Sequence, residues 1–302
     1  MADMKKVQIN MPIKSDYKEQ LIAELLADED IQSFLKSKNW DKKIVKENIV
    51  SFSDWLQQYK YCKKCTGLVM CDKKMKGYCL QLDDQFNEIL TACRYQKEDE
   101  QQYAHQVNYI LSDLSKKSLL NDINGISLEG EDDYYKEIVS LCRQWLKEKP
   151  LKGLYLVGKF GVGKTYLASC IANQLAKEGH KIAFVNMPNL CVDLKSNMTE
   201  KDYIENKLSK MKKAYLLVLD DIGAENTTAW FRDEILFPVL DYRMENGKRT
   251  IFTGNCDLKS LKKRLTISGY GQEDEVKAAR IIERIQVLSK QVPLVGETRR
   301  SI

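Results

Sequence analysis

The chain has 302 residues, of which 43% are hydrophobic and 30% are charged, so it is long enough for about two domains and can bury a sizeable core. The net charge of +5 is spread over 48 basic and 43 acidic residues and does not by itself indicate a polyanionic partner. No apolar run approaches ~18 residues, so no membrane span is expected. The N-terminal lysines are not followed by the apolar stretch of a secretory signal, and we expect a cytoplasmic protein.

The first 60 residues are predicted to form a helical module. Apolar residues between Tyr17 and Leu26 recur at near-helical spacing, and a second set runs from Ile44 to Tyr59. Glycine is absent before Gly67, which supports a compact helical unit. Acidic and basic residues balance here, so a protein surface is favoured over DNA as the partner of this module.

Five of the nine cysteines fall between Cys62 and Cys93. In a long chain without an export signal, metal binding explains such a cluster better than disulfides do. Two thiolates with the spacing of Cys62 and Cys65 can bind one tetrahedral Zn²⁺. The candidates for the remaining ligands are Cys71, Cys79 and Cys93. The alternative is a cluster of reduced thiols that contains one fortuitous pair.

Residues 96–118 are predicted to be a linker. They are polar and acidic apart from one short apolar patch, Val107 to Leu114, and some helix is expected. From residue 119 onward, short apolar runs alternate with helical stretches, which is typical of parallel strands buried on both faces of an α/β sheet. The predicted strands are GLYLVG, IAFVNM, YLLVLDD and RTIFTGN, and the predicted helices include Gly163 to Lys177 and Leu258 to Leu265.

GKFGVGKT fits the phosphate-loop pattern G-x-x-x-x-G-K-[ST] between a predicted strand and a predicted helix. The glycines let backbone N–H groups face phosphate oxygens, and the helix adds the positive end of its dipole. We expect ATP, with Lys164 between the β- and γ-phosphates and the Thr165 hydroxyl on Mg²⁺. The predicted nucleotide contacts are Gly158, Lys159, Phe160, Gly161, Val162, Gly163, Lys164, Thr165 and Tyr166.

Acidic and amide side chains follow two later strands. Asp220 ends the apolar run LLVLDD and is expected to orient the Mg²⁺ shell, while Asp221 stands where many such ATPases have a glutamate that polarises water. Glu225 lies four positions further on, so the identity of the catalytic acid stays open. Asn255 ends RTIFTGN, and its amide is expected near the γ-phosphate if that strand neighbours the Asp220 strand. The alternative for the two aspartates is an ordinary solvated strand end, and the alternative for Asn255 is a turn.

Together these residues resemble AAA+ ATPases, and more narrowly the bacterial replicative-helicase loaders of the DnaI/DnaC group, particularly the primosomal DnaI type of low-GC Gram-positive bacteria. The resemblance covers residues 119–302 densely and the cysteine region more loosely. The segments that carry it are GLYLVGKFGVGKTYLASCIANQLA, LLVLDDIGAE, FPVLDYRM, TIFTGN and AARIIERI.

The resemblance implies an AAA+ core with a five-stranded parallel sheet, preceded by a small helical, zinc-binding N-terminal domain. It implies a weak ATPase, stimulated by single-stranded DNA, that assembles as a ring or spiral on the hexameric replicative helicase and delivers it onto single-stranded DNA. Other primosome or initiator proteins are expected as partners, and no membrane. The expected domains are a helicase-binding module at 1–60, a zinc module at 61–95, a linker at 96–118 and the ATPase domain at 119–302.

The resemblance also implies roles for single residues. Asn255 matches the sensor at the end of the fourth strand, although Gly254 stands where a small polar residue is expected before it. Arg284 matches the arginine finger that reaches a neighbouring subunit's nucleotide. Arg280, on the same helical face, competes with it, and the alternative for both is an exposed helix with Glu/Arg pairs. Arg299 and Arg300 match a late basic position only loosely.

For zinc, the resemblance places Cys79 at the position of a ligating histidine and Cys93 at that of a final cysteine. The implied set is therefore Cys62, Cys65, Cys79 and Cys93, with Cys71 as the competing thiol. A DNA contact in the ATPase domain is also implied, and a basic run on one short helix is the candidate: Lys259, Lys262, Lys263 and Arg264.

Two rival functions remain. A transposition-helper ATPase shares the AAA+ core, but the first 118 residues argue against it. A nucleotide-switched binding protein with little turnover is also consistent with the sequence, because Asp221 replaces the usual glutamate.

Overall fold

The computed structural model describes residues 15–266 and 271–299. Residues 1–14 of the predicted helical module, and Arg300, lie outside the described residues. The chain divides into two compact units, residues 1–101 and 102–302. Among the described residues, no helix is both long and apolar enough to cross a membrane.

The first unit is mainly helical and contains a two-stranded hairpin before its last helix. Its elements are α1 (Ser15–Ala27), α2 (Glu29–Lys38), α3 (Lys43–Glu47), α4 (Ile49–Lys63), the 3₁₀ turn Leu68–Met70, β1 (Tyr78–Leu82), β2 (Glu88–Ala92) and α5 (Arg94–Gln102), which runs across the division. The predicted helical region is therefore confirmed, but it contains more breaks than the apolar spacing indicates. Asn39, in the left-handed conformation with a φ of 55°, ends α2.

The core of the first unit consists of aromatic and aliphatic side chains of α1 to α4. Trp55 stacks on Phe34, with ring centroids 4.0 Å apart, and on Tyr59 at 4.8 Å. Two ion pairs join α4 to the start of α2: Lys60 to Asp28 at 2.5 Å and Lys63 to Asp30 at 2.7 Å. The helices pack around these rings, and this unit has its own hydrophobic core.

The second unit is built on a six-stranded sheet in the order β3-β5-β6-β7-β4-β8, in which every neighbouring pair is parallel. Its strands are β3 (Tyr109–Ser112), β4 (Gly153–Gly158), β5 (Ile182–Asn186), β6 (Leu216–Asp220), β7 (Arg249–Gly254) and β8 (Ser289–Leu294). Its helices are α6 (Asp133–Glu148), α7 (Lys164–Lys177), α8 (Met187–Ser196), α9 (Lys201–Lys213), α10 (Phe237–Glu245), α11 (Leu258–Leu265) and α12 (Gly271–Leu288), with 3₁₀ turns at Ala104–Asn108 and Ser118–Leu120 and a π-helical segment at Phe231–Leu236.

Both faces of the sheet are covered, as the continuous apolar strands predict. In β6, Leu216 and Val218 belong to the core that contains side chains of α6 and α7. The alternate residues Leu217 and Leu219 belong to the core that contains side chains of α8, α10 and α12. The parallel α/β prediction is confirmed.

The sheet has one strand more than the five that the resemblance implies, and the sequence located four of these six strands, all except β3 and β8. The sixth is β3, which pairs with β5 and lies in the segment 96–118 that the sequence predicts to be a linker. The strand has only four residues and is flanked by polar residues, so the sequence pattern does not identify it as a strand. The division between residues 101 and 102 leaves this strand with the sheet.

Candidate functional site

The predicted nucleotide-binding residues meet at the carboxyl edge of the sheet. The phosphate loop follows β4, Asp220 ends β6, and Asn255 follows β7, which lies between those two strands. A cavity of about 410 Å³ opens there. Its lining residues are Gly125, Ile126, Ser127, Glu131, Tyr135, Phe160, Gly161, Gly163, Lys164, Thr165, Tyr166, Asp221, Asn255 and Arg299.

The phosphate loop has the conformation that its glycines permit. Gly161 and Gly163 have φ values of 82° and 99°, in the left-handed region that side chains disfavour. A Cβ at Gly161 would lie 2.2 Å from the Thr298 hydroxyl oxygen, so that position also needs glycine for space. The N-terminus of α7 follows directly, which makes this edge suited to an anion.

The Lys164 side chain lies inside the site and is only 6% exposed. Its ammonium donates to the carbonyl oxygens of Gly158 and Lys159, at 2.9 and 2.8 Å, and to Oδ1 of Asn255 at 2.8 Å. The strand order, in which β7 lies between β6 and β4, thus brings Asn255 to the phosphate-loop lysine.

Asp220 is the centre of a hydrogen-bonded group. Its Oδ1 accepts from the hydroxyls of Thr165 and Thr253, at 2.8 and 2.7 Å, and the amide of Asn186 lies 3.4 Å from Oδ2. Asp220 is 5% exposed, so these donors replace water around a carboxylate. A hydroxyl and a carboxylate are oxygen ligands of the kind that Mg²⁺ prefers, and their proximity fits such an ion.

The two candidate acids occupy different surroundings. Asp221 lines the cavity and has a φ of 57°, while its backbone N–H donates to the Thr253 hydroxyl at 2.9 Å. Glu225 does not line the cavity and is 8% exposed. It accepts from the Gly223 N–H at 2.8 Å and the Thr227 hydroxyl at 3.1 Å. Burial raises the pKa of Glu225 above its usual value. Of these two acids, only Asp221 lines the cavity.

Gly254, which departs from the expected small polar residue, has a packing reason. A Cβ at this position would lie 2.8 Å from the Tyr155 hydroxyl oxygen and 3.0 Å from the Ile222 carbonyl. Tyr155 donates to the backbone carbonyl of Cys256, just past the sensor position. A tyrosine on β4 therefore takes the space that a larger residue would need, and it fixes the backbone beside Asn255.

Neither of the two candidate arginine fingers lines the cavity of its own chain. Arg284 on α12 donates to Asp241 at 3.0 Å and to Glu283 at 2.7 Å. Its guanidinium also lies over the Phe237 ring, 5.1 Å from the centroid, and that of Arg280 lies 4.6 Å from the same centroid. Arg280 is exposed, whereas Arg284 is half-buried.

The basic run on α11 is only partly a free surface. Arg264 donates to the Gly223 carbonyl at 2.7 Å and so connects α11 to the loop that follows β6. Lys259 and Lys263 are exposed, and Lys262 is half-buried. The helix buries Leu261 and Leu265 on its opposite face.

Arg299 is a cavity residue whose role the sequence leaves undecided. Its guanidinium carbon lies 3.7 Å from the centroid of the Tyr135 ring, and it pairs with Glu131 at 2.6 Å. The segment from Gly125 to Ser127 also lines the cavity without any sequence motif. Both come from parts of the chain far from the phosphate loop in sequence, so no local pattern could identify them.

In the first unit, all five clustered cysteines line one cavity of about 310 Å³. Cys62 accepts from the Lys73 ammonium at 2.9 Å, and Cys79 lies 3.7 Å from the Thr91 hydroxyl. Cys71 is 9% exposed. Hydrogen bonds from the backbone N–H groups of Gly77 and Lys73 lower the pKa of the Cys71 thiol.

The predicted zinc ligands do not form a metal-binding group here. Within residues 15–266 and 271–299, no three His, Cys, Asp or Glu side chains stand close enough together to hold a metal ion. The set Cys62, Cys65, Cys79 and Cys93 is therefore brought to one cavity but not to the spacing of a closed tetrahedral site.

The fold and the nucleotide site define an AAA+-type P-loop ATPase. The family described as IstB-like ATP binding protein matches residues 84–301, and the family described as primosomal protein DnaI N-terminus matches residues 1–95. The replicative helicase loader DnaI of Bacillus subtilis (strain 168) is 32% identical over 295 residues, which cover 93% of each chain.

Two solved structures support the same assignment. One, the crystal structure of DnaI, is 36% identical with a TM-score of 0.55, covering 63% of this chain and 98% of that one. The other, a candidate primosome component from Streptococcus pyogenes serotype M3, is 28% identical with a TM-score of 0.53, covering 66% of this chain and 99% of that one. The chain belongs to the DnaI family of replicative helicase loaders and matches the IstB-like ATP-binding proteins.

Proposed function

We propose that this protein is an ATP-dependent loader that acts in the cytoplasm, binds the hexameric replicative DNA helicase and delivers it onto single-stranded DNA during replication initiation or restart. The observation that carries the proposal is the length of the similarity to DnaI, which covers 93% of both chains and includes the N-terminal family match at residues 1–95. A transposition helper with only the shared ATPase core would not require that N-terminal segment.

ATP is proposed to bind in the cavity at the carboxyl edge of the sheet, with its phosphates on the N–H groups of the loop from Gly158 to Thr165. The Lys164 ammonium and the Asn255 amide are hydrogen-bonded to each other. A γ-phosphate that binds to Lys164 would therefore also lie beside Asn255. Mg²⁺, when bound, supplies positive charge to the β- and γ-phosphates. Thr165 and Asp220 would hold it, and Asp221 would orient the attacking water.

The chain is also proposed to self-associate as a ring or spiral on the helicase, with other primosome or initiator proteins as further partners. Arg284, or Arg280 in its place, would then reach a neighbouring subunit's nucleotide. Both guanidiniums lie over Phe237, so one aromatic ring holds the two candidates at the surface of α12. Lys259 and Lys263 are proposed to contact the DNA backbone without sequence preference.

Zinc is proposed as a structural ion of the first unit. The donor chemistry is suitable, since five thiols line one cavity and two of them have the Cys-x₂-Cys spacing. The ligands proposed are Cys62, Cys65, Cys79 and Cys93, with Cys71 competing. Side chains would have to close around the ion, because in their present positions no three of them form a metal-binding group among the described residues.

The loader function is tested by co-purification with a replicative helicase. The full chain is compared with a fragment of residues 102–302, because a cut at 119 would remove β3 from the sheet. We expect the full chain to retain the helicase and the fragment to retain little. The fragment must still bind ATP, which shows that it is folded. Equal retention by both would contradict a helicase-binding role for the first unit.

One observation favours a second candidate, an ATP-switched binding protein with little turnover. Asp221 is one methylene shorter than the glutamate usual at this position, and a shorter acid lies further from a water at the γ-phosphate. Phosphate release, measured with and without single-stranded DNA, separates the two. Turnover stimulated by DNA supports the loader ATPase, and single-site binding without release supports the switch.

A further inference from the structure

The C-terminal segment crosses the phosphate loop after leaving β8. The backbone N–H of Arg299 donates to the carbonyl of Gly161 at 2.9 Å. Thr298 lies directly against the same glycine, since a Cβ built at Gly161 would meet its Oγ1 at 2.2 Å and its Cβ at 2.9 Å. The middle of the loop is therefore covered by the tail, at a point where Gly161 and Gly163, on either side of Val162, leave the loop backbone conformationally free.

The guanidinium of Arg299 joins the loop to the segment before α6. It donates to both carboxylate oxygens of Glu131, at 2.6 and 3.4 Å, and lies 3.5 Å from the Val162 carbonyl. It also lies over Tyr135, with the guanidinium carbon 3.7 Å from the ring centroid. This one side chain, which belongs to the tail, thus contacts both the loop and the wall of the cavity that contains Glu131 and Tyr135.

These contacts are sheltered from solvent but not fully buried. The side chains of Arg299 and Glu131 are 23% and 28% exposed, respectively. Tyr135 is buried, and its backbone N–H donates to Asp132, the cap of α6, at 2.7 Å. The platform under the guanidinium is therefore fixed by a helix terminus, whereas the loop on the other side of it is glycine-rich. The N-terminus of α6 thus supports the glycine-rich phosphate loop through the Arg299 side chain.

We propose that Arg299 is a positioning residue that clamps the phosphate loop in the conformation that receives the nucleotide. Its backbone N–H holds the Gly161 carbonyl, and its guanidinium, which the test below removes, lies between the Val162 carbonyl and the Glu131 carboxylate. The proposal rests on the ATP site proposed above and adds a residue that controls its affinity. A loop held in its bound conformation loses less freedom when phosphates arrive, so the clamp tightens binding. Releasing it should let the nucleotide leave faster while the groups around the γ-phosphate stay in place.

The test uses the full chain and a fluorescent ATP analogue with Mg²⁺, with the dissociation rate measured by stopped flow and the Kd by titration. Arg299→Ala is expected to weaken binding by about tenfold, mainly through faster dissociation. Arg299→Lys keeps the charge but not the planar, two-point contact, so it should recover only part of the loss. Glu131→Gln, which leaves the Tyr135 contact intact, should have a smaller effect in the same direction. The KM for ATP should rise with kcat nearly unchanged.

Arg249→Ala is the matched control. The Arg249 guanidinium also lies over a tyrosine, 4.8 Å from the centroid of Tyr215, and donates to the Lys149 carbonyl, but at the start of β7 and so at the opposite edge of the sheet. It should leave the Kd and the dissociation rate of the nucleotide unchanged. Thermal unfolding of each variant shows whether it remains folded.

An Arg299→Ala protein that is folded and releases the nucleotide at the wild-type rate, or more slowly, would overturn the clamp. An equal effect of Arg249→Ala would also overturn it, since the loss would then come from general destabilisation. Failure of the wild-type chain to bind the analogue at all is a different result, because it would refute the proposed ATP site itself.

Discussion

The two units of this protein differ in how far their candidate sites are assembled by the chain alone. In the second unit, Lys164, Thr165, Asp220 and Asn255 already share hydrogen bonds of 2.8 Å, set by the strand order of a sheet with two covered faces. In the first unit, five cysteines reach one cavity, but no three of the described side chains form a metal-binding group. A site on strand ends is preorganised by backbone hydrogen bonds. A thiol site depends on its ion for the last step of assembly.

Removing zinc should affect only the first unit, and this is the largest effect we expect. Structural zinc sites contribute on the order of 10 kcal/mol to the folding of small domains. The wild-type protein should contain about one zinc per chain, and chelation should raise hydrogen exchange throughout residues 15–101 while leaving the sheet of the second unit protected. Cys62→Ser should lose the metal, and Cys191→Ser, in the core of the second unit, should keep it. Identical exchange with and without metal would remove the distinction between the two units.

The second unit contains a buried arginine, Arg243, whose hydrogen bonds are all to groups of the protein itself. Arg243 is fully buried and donates to the Thr250 hydroxyl and to the backbone carbonyls of Met211 and Ala214, while burial lowers its pKa to about 9. Arg243→Ala leaves these acceptors without a donor and should lower the free energy of unfolding by about 3 to 5 kcal/mol. Denaturant unfolding followed by circular dichroism checks this. Lys213→Ala, at an exposed position in the same region, should change it by less than ~0.5 kcal/mol.

Substitutions of Asp221 and Glu225, the two carboxylates that follow β6, should have different effects on ATP hydrolysis. Asp221 lines the nucleotide cavity and Glu225 does not. Asp221→Asn should therefore lower phosphate release by about 100-fold, the lower end of what a positioned acid–base group contributes, with ATP binding retained. Glu225→Gln should leave the rate within about threefold, since the amide can still accept the Gly223 N–H. The reverse result would show that Glu225 moves to the nucleotide.

Much of the second unit was predictable because its signals are local. The phosphate loop is a contiguous motif, and α11 begins and ends at Leu258 and Leu265, the bounds that the sequence predicts. Its observed cap is Asp257, whose side chain accepts from the Ser260 N–H. β3 and β8 were not located. β3 is four residues in a polar region, and β8 is an edge strand that contains Pro293, a residue tolerated there because it need not donate to a neighbouring strand.

Contacts between residues that are far apart in the sequence could not be predicted. Arg299 and Glu131 are 168 residues apart, and no pattern links them before the fold is known. The space that Tyr155 takes from Gly254 is likewise invisible in sequence, although it explains an unexpected residue beside the sensor position. The cysteine cluster is the converse case, because it is a local sequence pattern whose predicted geometry is not formed. Its spacing predicts a set of zinc ligands, but among the described residues the side chains do not stand close enough together to hold an ion.

The most direct test of the account is a calorimetric titration of the full chain with magnesium-ATP, beside Lys164→Ala. We expect saturable binding at about one site per chain for the wild type and at least about 100-fold weaker binding for the variant, because the buried ammonium is replaced by a methyl group. The variant should still co-purify with the helicase through its first unit. Folded wild-type protein that takes up no magnesium-ATP at millimolar concentration would contradict the account.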